Sequence, residues 1–182
     1  MSNRETVIAQ TRKWIQDVVV GCNFCPFAAP VVKAGTIEYE VIEETDPEMA
    51  LVALSRAFTT LDTNAAIETL FLIFPGSFTF FNDYLDLLNL AEDFLEEQGY
   101  AGEYQLASFH PSYLFKGSTE EDPSNYTNRS PYPMLHLLRE DNLSLAIDNF
   151  PGTEKIPLRN IKYSQQKGLA YMRHLWEQSF KV

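Results

Sequence analysis

The sequence contains one run of five large apolar residues with no polar residue between them, Leu70-Phe71-Leu72-Ile73-Phe74. A strand with one face in water alternates apolar and polar residues, so this run predicts a strand that is covered on both faces. Pro75-Gly76 is a turn signal and ends it. We therefore expect a central strand with helices packed on both sides, which is typical of α/β proteins.

Two further strands are predicted, and helices separate the three. Thr36–Val41 alternates apolar and polar residues and should lie at a sheet edge, and Tyr104–Phe109 should form a third, short strand. Apolar residues at helical spacing predict three helices, which run from a capping box at Ser2 and Glu5 to about Val20, from Asp46 to Leu61, and from Tyr84 to Gly99. Because each helix between strands is long enough for a crossover, we expect a small three-stranded, mainly parallel sheet. This is an α/β fold, or α+β if one strand runs antiparallel.

The C-terminal part of the chain is predicted to be helical. After a long polar loop, Ser130-Pro131 has the composition of a helix start and opens a predicted helix around Leu135–Arg139. Further helices are expected near Leu143–Ile147 and between Leu158 and Trp176. A length of 182 residues, of which 45% are hydrophobic, fits one domain covering residues 1–182.

The charge of the chain is negative and unevenly distributed. The net charge is -11, and the region Glu38–Glu103 holds fifteen acidic residues but a single base, Arg56. Nucleic acids and anionic membranes attract clusters of Lys and Arg, so this distribution argues against both as partners. The N-terminus lacks the features of a signal peptide and no stretch is apolar enough to span a membrane, so we expect a cytoplasmic location.

The first candidate site is the loop Phe109–Gly117, which follows the third predicted strand. Ligand sites of parallel sheets lie beyond the carboxyl ends of the strands, and His110 occupies that position. Tyr113 and Lys116 add a phenol and an ammonium group to the same loop. The sequence leaves open whether His110 takes part in chemistry or only holds the loop through hydrogen bonds.

The second candidate site is Asn125–Glu140, which has an unusual concentration of polar groups. If Ser130 caps a helix, the backbone N–H groups of its first turn and the neighbouring Arg129 would attract an anion. His136 and Arg139 are three residues apart and would share a face of that helix. The functional interpretation is that Arg129, Arg139 or both hold a carboxylate or a phosphate. The alternative is an ordinary capped helix with a surface ion pair.

The third candidate site is Gly21–Ala28, which contains both cysteines, Cys22 and Cys25. A disulfide-exchange pair normally precedes a helix, whereas this pair follows one, and a four-cysteine zinc site is impossible with two cysteines. Three interpretations remain: Cys25, with or without Cys22, as a metal ligand together with His110 and His136, Cys25 as a thiolate nucleophile with one histidine as base, or Cys25 as a small buried residue.

These stretches resemble the bacterial domain-of-unknown-function family 1415. The motifs that carry the resemblance are Gly21-x-Asn23-x-Cys25-Pro26-Phe27-Ala28, Ser108-Phe109-His110-Pro111-x-Tyr113-x-Phe115-x-Gly117 and Asn125-x-Thr127-Asn128-Arg129-Ser130-Pro131-Tyr132-Pro133, the last running into Leu135-His136-Leu137-Leu138-Arg139-Glu140. The family pattern asks for the second cysteine only, so the resemblance implies that Cys25 matters by itself. It implies no activity, because none is established for the family.

The leading hypothesis from the sequence is a small hydrolase or transferase that acts on an anionic small molecule. Cys25, His110 and His136 would be its catalytic residues or the ligands of a divalent metal such as zinc. The expected substrate-binding residues are Asn23, Tyr113, Lys116, Asn128, Arg129, Ser130 and Arg139. The alternatives are a non-catalytic module that binds an anionic metabolite, and an interaction domain whose acidic region Glu38–Glu103 docks a basic partner.

Overall fold

A computed structural model describes residues 3–182 of the chain. Its four strands are β1 (Ile37–Val41), β2 (Thr69–Ile73), β3 (Tyr104–Phe109) and β4 (Met134–Arg139). Its α-helices are α1 (Arg4–Trp14), α2 (Ala28–Ala34), α3 (Pro47–Thr63), α4 (Phe81–Glu97), α5 (Glu140–Asp148), α6 (Ile156–Lys167) and α7 (Leu169–Gln178). A π-helix covers Ile15–Val20, and short 3-10 helices cover Pro123–Thr127 and Thr153–Lys155.

The four strands form one mixed sheet in the order β1-β2-β4-β3. β1 and β2 run parallel, whereas β4 is antiparallel to both of its neighbours. The mixed α/β class is confirmed, and so are the edge position of β1 and the central position of β2. The prediction of three mainly parallel strands was wrong. β2 and β3 do run in the same direction, but β4 is inserted between them.

The fourth strand occupies the segment for which the sequence predicted a helix, Leu135–Arg139. Leu135 and Leu137 belong to the core on one face of the sheet, whereas Met134 belongs to the core on the other face, where His136 also lies. Both faces of this strand are covered, so large residues follow one another without the polar alternation that marks a half-exposed strand. Sequence periodicity alone could not separate such a strand from a buried helix.

Helices cover the two faces of the sheet with separate hydrophobic cores. α3 and α4 pack on one face, where Leu70 and Leu72 of β2 are buried. α1, the π-helix and α7 pack on the other face, which buries Phe71 and Ile73 of the same strand. β2 is therefore covered on both sides, as the run of five apolar residues predicted.

The first helix extends to Val20 as predicted, but its last six residues form a π-helix. The predicted capping residue Ser2 lies outside the described residues. Within them, the side chain of Asn3 accepts a hydrogen bond from the backbone N–H of Glu5, with an N···O distance of 3.2 Å. No helix among residues 3–182 is both long and apolar enough to cross a membrane.

Candidate functional site

His110 follows β3 and is completely buried. The backbone N–H of Ser112 donates to its Nδ1 atom at 2.9 Å, so the ring hydrogen lies on Nε2, which donates to the carbonyl oxygen of Phe78, also at 2.9 Å. Burial lowers the pKa of the imidazole. Both ring nitrogens are thus occupied by backbone groups, and the histidine joins the loop after β3 to the loop before α4.

His136 lies in the middle of β4, on the other face of the sheet. Its ring stacks on Phe71 with 3.8 Å between the centroids and an interplanar angle of 6°, and Nε2 is hydrogen-bonded to the hydroxyl of Thr69. Burial lowers the pKa of His136 to about 3. Because His110 contacts Phe81 and Tyr84 in the α4 layer, the sheet separates the two histidines.

The two arginines expected to bind an anion are bound to backbone carbonyl groups instead. The guanidinium of Arg129 donates to the carbonyl oxygens of Tyr113 and Glu120, at 3.2 and 3.1 Å. The guanidinium of Arg139 donates to the carbonyl oxygens of Ile67 and Asn64, at 3.0 and 3.2 Å, and to that of Leu61 near the end of α3. Arg129 ties two loops together, and Arg139 closes the C-terminal end of α3.

The helix start predicted at Ser130 does not exist, because the chain enters β4 there. Ser130 is fully buried and its hydroxyl donates to the carbonyl oxygen of Tyr132. His136 and Arg139 lie on opposite faces of β4, since residues three apart in a strand point to opposite sides. The anion site formed by a helix N-terminus at Ser130, and the shared helical face of His136 and Arg139, were therefore wrong predictions.

The cysteine loop between the π-helix and α2 is held by α6. Asn23 adopts a left-handed conformation with φ of 54°, and its carbonyl oxygen accepts a hydrogen bond from Arg159. The carbonyl oxygen of Phe24 accepts one from the side chain of Asn160 at 2.7 Å. Cys22 is buried, Cys25 is partly buried, and both are free thiols.

Cys25 lies just before α2, and its carbonyl oxygen accepts a hydrogen bond from the backbone N–H of Ala28 at 3.2 Å. Burial raises the pKa of the Cys25 thiol, although hydrogen bonds from the N–H groups of Phe27 and Ala28 and the charge of Arg159 lower it. The effect of burial is the largest of these, so the group is a neutral thiol near pH 7. A thiol in this state is a weak nucleophile until a base or a ligand changes its surroundings.

A cleft of about 600 Å³ brings the three candidate stretches together. Lys116 comes from the first candidate site, Asn128 from the second and Cys25 from the third. α6 also lines the cleft, which could not be predicted from the sequence because an amphipathic helix near the C-terminus carries no motif that marks it as part of a site. The other lining residues are Val19, Phe24, Phe109, Phe115, Gly117, Ser118, Asp122, Ser124, Thr127, Ile156, Pro157, Asn160 and Ile161.

Asn125 shapes the wall of the cleft that carries Lys116. It is fully buried, and its side-chain oxygen accepts hydrogen bonds from the N–H of Phe115 at 3.0 Å and the hydroxyl of Ser118 at 2.9 Å. Its amide nitrogen donates to the carbonyl oxygen of Thr119 at 2.8 Å. One buried side chain therefore fixes the loop on both sides of Lys116.

The remaining candidates do not line the cleft. Neither histidine is among its lining residues, and Asn23, Tyr113, Arg129, Ser130 and Arg139 are also outside it. Nowhere in residues 3–182 do three His, Cys, Asp or Glu side chains come close enough together to hold a metal ion. Cys25, His110 and His136 consequently do not form the three-ligand group that the zinc hypothesis needs.

We expect Cys25 to react slowly with iodoacetamide at pH 7, more slowly than free cysteine, because its raised pKa leaves little thiolate. The rate should keep rising as the pH is increased beyond 9. Peptide mapping by mass spectrometry separates Cys25 from Cys22, whose pKa is also raised by burial. Reaction of Cys25 at pH 6.5 faster than that of free cysteine would show that the sulfur is activated in a way that this geometry does not account for.

Residues 6–174 match the model of a family described as "Protein of unknown function (DUF1415)", and the match covers nearly the whole chain. No curated protein and no solved structure matches the chain. The cleft that unites Cys25, Lys116 and Asn128 is thus the observation from which a function has to be argued.

Proposed function

The chain belongs to this family of unknown function, and we propose, from its own geometry, that it binds a small anionic molecule in the cleft beside Cys25. The observation that carries the proposal is that residues from all three candidate stretches line this one cleft. Its volume of about 600 Å³ lies within the range of small-molecule sites, which bury most of the surface of their ligands.

Lys116 is the group that favours an anion. It is exposed at the cleft, and no carboxylate in residues 3–182 lies within ion-pair distance of it. The cleft also contains the carboxylate of Asp122, one oxygen of which accepts a hydrogen bond from the N–H of Ser124 at 2.9 Å. Lys116 is thus the cation that a ligand can reach, whereas Arg129 and Arg139 are engaged by carbonyl groups.

Hexanoate is a suitable first probe, because it combines a carboxylate with a short apolar chain. We expect it to shift the backbone amide NMR signals of Lys116, Gly117 and Asn128, and Lys116→Gln should weaken binding about tenfold through loss of a charge-assisted contact. Lys162→Gln is the matched control, since this exposed lysine lies on α6 but does not line the cleft. Equal shifts with hexan-1-ol, or no effect of Lys116→Gln, would refute an anion site.

A second candidate is thiol-dependent hydrolysis or group transfer, and the position of Cys25 favours it. Cys25 belongs to the cleft lining, and the N–H groups of Phe27 and Ala28 act to lower the pKa of its thiol, which favours a thiolate. Neither histidine lines the cleft, so the base would have to come from the ligand or from water. This candidate predicts that an acyl thioester leaves its acyl group on Cys25, with release of the leaving thiol.

Mass spectrometry separates the second candidate from simple binding. Incubation with a hexanoyl thioester should add one hexanoyl group to the wild-type chain and none to Cys25→Ser. Cys22→Ser is the control, because Cys22 is buried and does not line the cleft. If hexanoate binds but no acyl adduct forms, the thiol mechanism fails and the binding function stands.

A further inference from the structure

The cleft has a mainly polar wall, which also carries Phe115 and the carboxylate of Asp122, and a mainly apolar wall, which also carries the side chain of Asn160. Lys116, Asn128 and the hydroxyl groups between them come from the loop on one side. Ile156, Pro157 and Ile161 come from α6 on the other side, and Val19 of the π-helix adds to the apolar lining. A small hydrophilic anion would use the polar wall and leave the apolar wall in contact with water, at a cost proportional to its area.

The apolar surface does not stop at the cleft. Ile161 lines the cleft and is also 37% exposed, and Leu158 on the same helix is 55% exposed. Phe150 is 39% exposed and contacts Phe27, two residues after Cys25, with 5.8 Å between the ring centroids. α5, which precedes Phe150, has no buried residue and exposes Leu145. Leu158 and Ile161 are three residues apart on α6 and therefore neighbours on its surface, so they form an apolar rim at the edge of the cleft.

We propose that the ligand is a linear amphiphile, with an anionic head group beside Lys116 and a hydrocarbon chain that runs along Ile156 and Ile161 onto this rim. The inference rests on the proposed binding function and names its ligand class. The polar wall supplies the charge for the head group, and the apolar wall and rim supply a surface longer than a short ligand can cover. The net charge of -11 and the acidic first turn of α5 disfavour an anionic membrane as the occupant of the same surface.

The test is a chain-length series. The dissociation constants of butanoate, hexanoate, octanoate and decanoate are measured by calorimetry, all below their micelle-forming concentrations. Each added methylene that is buried should tighten binding about fourfold, as expected from the transfer of a CH₂ group out of water. The same series with alkan-1-ols and alkylamines isolates the contribution of the head group.

Two variants test where the hydrocarbon chain of the ligand lies. Ile161→Gln should reduce the gain from octanoate to decanoate to less than twofold and should weaken butanoate binding much less than decanoate binding. Leu90→Gln removes a leucine that is 44% exposed on α4 and does not line the cleft, so it should change neither value. Ile161 is partly exposed, so its replacement should leave the fold intact, and amide NMR spectra verify this for each variant.

The outcomes distinguish the amphiphile inference from the anion-binding function on which it rests. If short anions bind at Lys116 but longer chains bind no more tightly, the amphiphile inference is overturned and the anion-binding function stands. If no anion of any length binds at the cleft, both fail. A gain with chain length that Leu90→Gln reduces as much as Ile161→Gln indicates non-specific adsorption, which also overturns the inference.

Discussion

Replacement of Trp14 by alanine is expected to lower the free energy of unfolding by about 3 to 5 kcal/mol. Trp14 ends α1, is completely buried, and belongs to the core between the helices and the sheet. Its indole N–H donates to the carbonyl oxygen of Arg129 at 3.0 Å, and its ring meets Phe109 edge-on with 5.1 Å between the centroids. The variant loses the packing of a large aromatic ring and leaves that carbonyl group without its partner.

Urea denaturation followed by circular dichroism measures this loss. Phe80→Ala is the control, because Phe80 is 73% exposed and its removal should change the free energy of unfolding by no more than about 0.5 kcal/mol. Trp14→Phe keeps part of the ring volume but not the N–H. It should therefore lower the free energy of unfolding by less than Trp14→Ala and by more than Phe80→Ala. A loss below about 1.5 kcal/mol for Trp14→Ala would mean that the core around α1 is less tightly packed than described.

The same residue links the stability of the fold to the cleft. Phe109 lines the cleft and packs against Trp14, and Arg129, whose carbonyl group Trp14 binds, holds the carbonyl groups of Tyr113 and Glu120. These contacts fix the loop that presents Lys116. A Trp14 variant that remains folded should therefore bind hexanoate less tightly even though Trp14 does not touch the cleft.

Much of the fold could be predicted from patterns that have a single physical cause. The run Leu70–Phe74 identified β2 because a strand covered on both faces needs no polar residue. The alternation in Thr36–Val41 identified β1 as an edge strand, and Asp46-Pro47 marked the start of α3, where the side chain of Asp46 accepts from the N–H of Met49. In each case the local signal and the tertiary environment agree.

The fourth strand could not be predicted in this way, and the interpretation of the second candidate site depended on it. Ser130-Pro131 has the composition of a helix start, but the chain that follows pairs with β2 and β3. Long-range pairing outweighed a local helix signal because it buries Met134, Leu135 and Leu137 on two faces at once. Because no helix begins at Ser130, the anion site predicted at its N-terminus does not form.

The cleft was predictable as a meeting point of three stretches but not in its composition. Cys25, Lys116 and Asn128 were chosen for their chemistry, and they do line one cleft. His110 and His136 were chosen on the same grounds, yet each satisfies a local packing and hydrogen-bonding need in a different layer. Side-chain type identifies groups that are able to do chemistry. Only the three-dimensional fold determines whether they have a partner in the protein or face a ligand.

Acidification from pH 6.5 to pH 5 is expected to lower the free energy of unfolding by about 1.6 kcal/mol through His136 alone. Burial lowers the pKa of His136 from 6.5 to about 3 in the folded chain. Between these two values the unfolded chain binds a proton that the folded chain does not, so stability falls as the pH falls. The cost per pH unit is about 0.7 kcal/mol at pH 6.5, where half of the unfolded chains carry the proton, and approaches about 1.4 kcal/mol near pH 5. His110 acts in the same direction, because burial lowers its pKa as well.

The comparison of His136→Gln with the wild type isolates this contribution. Glutamine does not titrate, and its amide N–H can still donate to the Thr69 hydroxyl, so the variant should lose less stability than the wild type between pH 6.5 and pH 5. The control His174→Gln removes an exposed histidine and should keep the wild-type pH dependence. The readout is the slope of unfolding free energy against pH, which is insensitive to any constant cost of the substitution.

Identical slopes in His136→Gln and the wild type, or an NMR titration of the His136 ring near pH 6, would show that the ring exchanges protons freely with solvent. In that case His136 would again be a candidate for acid-base chemistry at neutral pH.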